Sequence, residues 1–216
     1  MMSVRIVIAD DHDIVRCGIR TLVEGRPDWK IIGEATNGRE AVNMAQRLHP
    51  DVCIFDHTMP DMNGVEATRQ TLQSHACTNV LMLTMHESEQ LIREILEAGA
   101  RGYVLKSDAG RDMMSAIESL SLGKLFFTST VSSLVLGEFL RSTHQKGTGT
   151  NAFLSSRQRE IVQLLAEGKS NKDVANILGI SIKTAETHRH HIMQKLQCTS
   201  VVDLVHYAIR NHMVAP

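Results

Sequence analysis

Residues 52–64 read Val-Cys-Ile-Phe-Asp-His-Thr-Met-Pro-Asp-Met-Asn-Gly, and this run decides the fold. Its first four residues are apolar, with β-branched and aromatic types that suit a buried strand, and Pro60 and Gly64 stop it. The strand delivers one carboxylate, Asp56, to its carboxyl end, where an open α/β sheet keeps its chemistry. Four other apolar runs have the same form. Residues 4–9 lead into Asp10-Asp11-His12, 29–35 lead to a turn at Asn37-Gly38, 79–84 end in the Thr84 hydroxyl, and 102–106 end in the Lys106 ammonium. Between and after them, helices are expected over 13–24, 39–48, 64–74, 87–98 and 112–122, with Gly99 and Gly123 closing the last two. In the first helix, Ile14, Val15, Ile19, Leu22 and Val23 fall near one face.

Strand and helix alternate five times, which predicts an α/β fold with a five-stranded, doubly wound parallel sheet and helices on both faces. In the order 2-1-3-4-5, strand one lies beside strand three and a crevice opens between their carboxyl ends. Asp10, Asp11, Asp56, Thr84 and Lys106 would then meet at one edge. Three close carboxylates repel one another unless a positive charge sits among them. A hard divalent cation with oxygen ligands, Mg²⁺ foremost, is the natural guest. Lys106 and Thr84 could each hold a phosphoryl oxygen, with Asp56 as the nucleophile of a covalent phosphoryl transfer. Singly, each residue has a plainer use, such as an Asp capping a helix or a Lys at the surface. Their order, each closing its own apolar run, is what points to chemistry.

The chain has 216 residues, enough for two domains, and a net charge of −1. The charge is unevenly spread. Residues 151–216 carry eight Lys/Arg and five Asp/Glu, whereas residues 1–150 carry fifteen and nineteen. An acidic front and a basic back suit two domains with different partners. Cys17, Cys53, Cys77 and Cys198 are scattered without a CxxC spacing, which argues against a disulfide framework or a zinc site. There is no signal-like N-terminus, and no apolar run approaches the roughly 18 residues of a membrane helix, so a cytoplasmic location is expected.

Residues 153–212 contain no convincing strand. Four helices are expected there, opening at Ser155 or Ser156, Ser170, Ser181 and about residue 200, and the second and third are joined by Leu178-Gly-Ile-Ser. Two helices on a short Gly-containing turn have helix-turn-helix spacing. On the third, at about 182–196, Ala185, Ile192 and Leu196 make an inner stripe. Lys183, Glu186, Thr187, His190 and Gln194 make a polar face able to reach phosphates and base edges. By itself such a face is more often an ordinary solvated one. His188, His190 and His191 are spread too widely around a helix to share an ion. Between the halves, 128–140 is a helix candidate, and 141–151 has no apolar residue and reads as a linker.

Two sets of motifs carry a family resemblance. Ile8-Ala-Asp-Asp-His12, Ile54-Phe-Asp-His-Thr-Met-Pro-Asp-Met-Asn-Gly64, Leu83-Thr84 and Gly102-Tyr-Val-Leu-Lys106 resemble the receiver domain of two-component response regulators. Leu154 to Gly168, Ser170 to Ala175, Ile180 to Arg189 and Lys195-Leu196 resemble a LuxR-type helix-turn-helix. Together they resemble the NarL/FixJ type over nearly the whole chain. The resemblance divides the chain into a receiver at 1–124, a linker helix and flexible linker at 125–152, and a four-helix DNA-binding domain at 153–216. It implies Asp56 as phosphoacceptor from a histidine kinase. Mg²⁺ would be held by Asp11, Asp56 and the Thr58 backbone carbonyl, with Asp10 acting through water. It implies a Thr84–Tyr103 switch in which Tyr103 turns inward. It places Glu186, Thr187 and His190 against bases, and Ser181, Lys183, Thr184 and Lys195 against phosphates.

The chain departs from the common pattern in having Met85 rather than a small residue after Thr84, and Ser107 rather than Pro after Lys106. The implied protein is not an enzyme beyond slow loss of its own phosphate. It is a transcriptional regulator that binds double-stranded DNA as a homodimer when active. The alternatives are a phosphorylation-independent DNA-binding regulator whose receiver serves only dimerisation, and an aspartyl-nucleophile phosphohydrolase, which the helix-turn-helix half argues against.

Overall fold

The computed structural model describes residues 3–128, 131–133 and 154–214. The first half runs β1 (Val4–Ala9), α1 (Asp13–Glu24), β2 (Trp29–Ala35), α2 (Gly38–Leu48), β3 (Val52–Asp56), α3 (Gly64–Gln73), β4 (Val80–Thr84), α4 (Glu89–Glu97), β5 (Gly102–Leu105) and α5 (Ala109–Ser121). All strand pairs are parallel and the order is β2-β1-β3-β4-β5, as expected.

Period-two alternation sorts the core into two layers. Val7, Ala9, Cys53, Phe55, Val80 and Met82 face α2, α3 and α4, whereas Ile6, Ile8, Ile54, Leu81 and Leu83 face α1 and α5. Every residue of β3 and β4 is buried, which is why these strands read as unbroken apolar runs.

Local differences from expectation have physical causes. Ile14 is 87% exposed, and α1 buries Ile19 and Val23 instead. Five residues of α-helix place Ile14 about 140° around the axis from Ile19, off the buried stripe. β5 stops at Leu105, and Lys106–Asp108 forms a 3₁₀ turn that hands over directly to α5 at Ala109, three residues before the expected start. α4 begins at Glu89, where the Ser88 side chain accepts from the Leu91 N–H. Beyond α5 the chain turns back along the sheet. Phe126 bridges Gly102 in parallel, and Val131 is buried in the layer that includes α4. The helix candidate at 128–140 is helical at 131–133; its remainder from 134 and the linker at 141–151 lie outside the described residues.

The second half contains α6 (Ser156–Ala166), α7 (Asn171–Leu178), α8 (Ile182–Leu196) and α9 (Val201–Arg210). Ser155, Ser170, Ser181 and Ser200 each cap a helix by accepting an N–H from its first turn. Ile161, Leu164, Val174, Ala185, Ile192 and Leu204 lie in its core. Gly179, at φ +63, makes the left-handed turn between α7 and α8.

Candidate functional site

The sheet order brings the carboxyl ends of β1, β3, β4 and β5 together, and four of the five expected side chains are largely buried there. Asp10 is fully buried, Asp56 is 2% exposed and Thr84 1% exposed. The Lys106 ammonium lies 2.8 Å from Asp10 Oδ2 and 3.0 Å from Asp56 Oδ1. Asp11 is exposed at the mouth. Carboxylate oxygens of Asp10, Asp11 and Asp56 and a ring nitrogen of His12 lie within 4.8 Å of one another. His12, to which the sequence reading gave no role, sets Nδ1 2.7 Å from Asp11 Oδ1. Its neighbours in sequence were the only available signal.

The donor set suits a hard cation: three carboxylates converge, and Asp56 Oδ2 is buried without a protein hydrogen-bond partner. Burial, followed by the Asp10 charge, pushes the Asp56 carboxyl up to about 7, against the pull of Lys106. Burial lowers Lys106, but its hydrogen bonds and charge interactions with Asp10 and Asp56 outweigh this and raise it. A carboxylate held at this cost, with one free oxygen and an ammonium beside the other, is arranged to attack or bind an electrophile carrying negative oxygens.

Backbone geometry makes this arrangement possible. A Cβ on Gly64 would fall 2.0 Å from the Asp56 carbonyl oxygen, so only glycine can start α3 there. The Gly64 N–H donates to His57 O at 2.9 Å, closing the loop that contains Thr58. Thr84 Oγ1 accepts from the His86 N–H at 3.1 Å. Tyr103 is 1% exposed, and its hydroxyl donates to His86 O at 3.0 Å, so its ring is already inward in this structure. Met85 is 69% exposed and forms no buried lid over Asp56.

The helical half packs on this loop through a polar seam that the sequence reading missed. Gln163 Nε2 donates to Met59 O, and Gln163 Oε1 accepts from the Asn63 N–H, both at 2.8 Å. The Asp61 N–H donates to the Glu167 carboxylate. Arg159 Nε bonds Glu66 at 2.8 Å, and Arg39 bonds Glu160 at 2.8 Å. The Ser156 hydroxyl also bonds Glu66. Glu66, Glu160 and Gln163 are all buried, and each has polar partners. His57 is buried in the same seam, and desolvation, with His212 and His86 nearby, pulls its imidazole down to about 4. One signal was available: Glu160, Gln163 and Glu167 recur at three- and four-residue steps along α6 and its C-cap, a polar stripe beside the apolar one.

On α8 the expected inner stripe is present, with Ala185 and Ile192 buried. Ser181, Lys183, Thr184, Glu186, Thr187, His190 and Lys195 are all exposed. Contact with the first half therefore leaves this face open. His188 is partly buried, and His190 and His191 are exposed.

Residues 6–118 match the family described as response regulator receiver domain, and residues 152–208 match bacterial regulatory proteins, luxR family. The chain is 36% identical to the oxygen regulatory protein NreC of Staphylococcus carnosus, over 97% of this chain and 99% of that protein. It is also 36% identical to the transcriptional regulatory protein LiaR of Bacillus subtilis, over 98% and 99%. Among solved structures, RcsB of Salmonella enterica serovar Typhimurium, bound to promoter rprA in the presence of the phosphomimetic BeF₃⁻, is 27% identical. That match covers 95% of this chain and 98% of RcsB, with a TM-score of 0.59.

Proposed function

The chain belongs to the response regulators that join a receiver to a LuxR-type DNA-binding domain, and on that premise we propose that Asp56 is its phosphoacceptor and α8 its DNA-reading helix. It is a regulator rather than a classical enzyme, and we extend that only to slow loss of its own phosphate. We take the receiver as 1–124, the linker as 125–152 and the DNA-binding domain as 153–216. The observation that carries the reading is the buried Asp56 carboxylate, paired with Lys106 through one oxygen while the other is free.

In this reading Asp56 Oδ2 attacks the phosphorus of a phosphohistidine on a histidine kinase. The P–N bond breaks and an acyl phosphate forms. Lys106 holds one phosphoryl oxygen and draws away from Asp56 as the new charge appears. Asp11, Asp56 and the Thr58 carbonyl would hold Mg²⁺, with Asp10 acting through water. When bound, the ion supplies charge neutralisation among the carboxylates and phosphoryl oxygens. Thr84 donates its hydroxyl to the phosphoryl group, breaking its contact with the His86 N–H. Tyr103, bonded to the same residue through His86 O, registers that change.

Ser181, Lys183, Thr184 and Lys195 hold DNA phosphates, and Glu186, Thr187 and His190 face base edges. RcsB is recorded as two dimers on two parallel DNAs. By analogy this chain acts as a homodimer, and phosphorylation changes how two already exposed α8 helices are spaced. No helix among the described residues is long and apolar enough to cross a membrane, and we place the protein in the cytoplasm.

The experiment is phosphorylation with a cognate kinase. The reading expects acid-labile phosphate on wild type and none on Asp56→Asn. Labelling of Asp56→Asn to the same level would refute it.

A further inference from the structure

Helix α6 and its C-cap residue Glu167 belong to the DNA-binding half, yet their side chains hold the backbone of the phosphoacceptor loop at three points. Met59 O accepts from Gln163 Nε2, the Asn63 N–H donates to Gln163 Oε1, and the Asp61 N–H donates to Glu167. Gln163 and Glu167 stand one turn apart and bond each other at 2.8 Å. Gln163 is 2% exposed; its amide gives one N–H and its oxygen to the loop, and its nitrogen also donates to Glu167. Asp61 sits at φ +63, a left-handed conformation unfavourable for a residue with a Cβ, and its N–H is held by Glu167. Met59 directly follows Thr58. Gln163 therefore fixes the Met59–Pro60 peptide, the next one along the chain from the peptide that carries the Thr58 carbonyl.

We propose that Gln163 is a positioning residue for the phosphoacceptor site: docked on the loop, it holds the Thr58–Asn63 backbone in a form that opposes loading of Asp56. This rests on the phosphoacceptor reading above and gives it a reciprocal arm. If loading Asp56 loosens the seam, the seam must weaken loading by the same factor, because coupling between two equilibria is symmetric. The DNA-binding half thereby sets how readily its own receiver is charged. DNA or a second copy that favours the undocked form would favour charging too.

The test is a titration of the full-length protein with beryllofluoride in the presence of Mg²⁺, followed by NMR of the Gln163 side-chain amide and by calorimetry. Gln163→Ala should load at a concentration about five- to tenfold lower than wild type, the range of ordinary coupling. Gln163→Glu keeps the acceptor for Asn63 but faces Met59 O with a second acceptor, and it should fall on the same side as Gln163→Ala. A purely structural role would lower thermal stability and leave the loading concentration unchanged. In wild type, the Gln163 amide resonances should move toward free-glutamine values in step with loading, and this holds whether or not the variants fold. Loading of wild type with an unmoved Gln163 amide would overturn the clasp and leave the Asp56 reading intact. Failure of wild type to load at all would overturn both.

Discussion

Asp56→Asn should make the protein more stable, and the gain should grow with pH. The carboxyl is buried beside Asp10, and these two effects lift it from 3.8 to about 7 despite Lys106. The folded chain then holds a proton that the unfolded chain has released between those two values. Stability therefore falls as pH rises through that window, and the loss is complete above about pH 7. Three pKa units at about 1.36 kcal/mol each set a ceiling of about 4 kcal/mol. Asparagine keeps the size and removes the charge, and Lys106 retains Asp10 at 2.8 Å. Relaxation of the pocket and partial solvation of the charge bring the expected gain to about 1–3 kcal/mol at pH 8. It should shrink by pH 5 and vanish below about pH 4. The assay is urea denaturation of both proteins without divalent cations at pH 5 and pH 8. A variant no more stable at pH 8, or a gap equal at both pH values, would refute the reasoning.

Three further outcomes follow from the same geometry. Lys106→Ala leaves Asp10 and Asp56 buried without their counter-ion, so denaturation at pH 8 should register a loss of about 3 kcal/mol, recovered in part when Asp56→Asn is added. Gly64→Ala places a Cβ 2.0 Å from the Asp56 carbonyl and should cost more than about 2 kcal/mol of stability, whereas Gly110→Ala, with open space around it, should not. Lys183→Ala, at an exposed position on α8, should weaken binding to all duplexes about equally and reduce the salt slope by about one; a selective loss for one sequence would instead make Lys183 a base reader.

Much of this was legible in the sequence because strands buried on both faces cannot hide. Residues 52–55 and 80–83 are apolar without interruption, and the polar residue that ends each such run had to lie at the sheet edge. Asp10, Asp56, Thr84 and Lys106 followed from that, although β5 itself ends at Leu105 and Lys106 opens the 3₁₀ turn after it. The α8 face was legible in the same way, as polar residues at helical spacing opposite Ala185 and Ile192. The seam was not. Glu160 and Gln163 are polar, so α6 read as a surface helix with one buried stripe, yet both are buried against the first half. A polar stripe that pairs with another polar surface looks like a solvated one until the partner is in place. Ile14 failed in the opposite sense, since an apolar residue in a helix was assigned to the core although its angle points it outward.

The central claim is that the charge state of Asp56 controls DNA binding through the α8 helices. The most direct measurement takes wild type and Asp56→Asn, each with and without the cognate kinase and ATP. Acid-labile phosphate, dimer fraction by sedimentation and affinity for duplexes selected from a random pool are read on the same samples. The account predicts that phosphate appears on wild type alone, and that dimer fraction and affinity rise together with it. Stoichiometric phosphate on Asp56 with both of the other readings unchanged would contradict it.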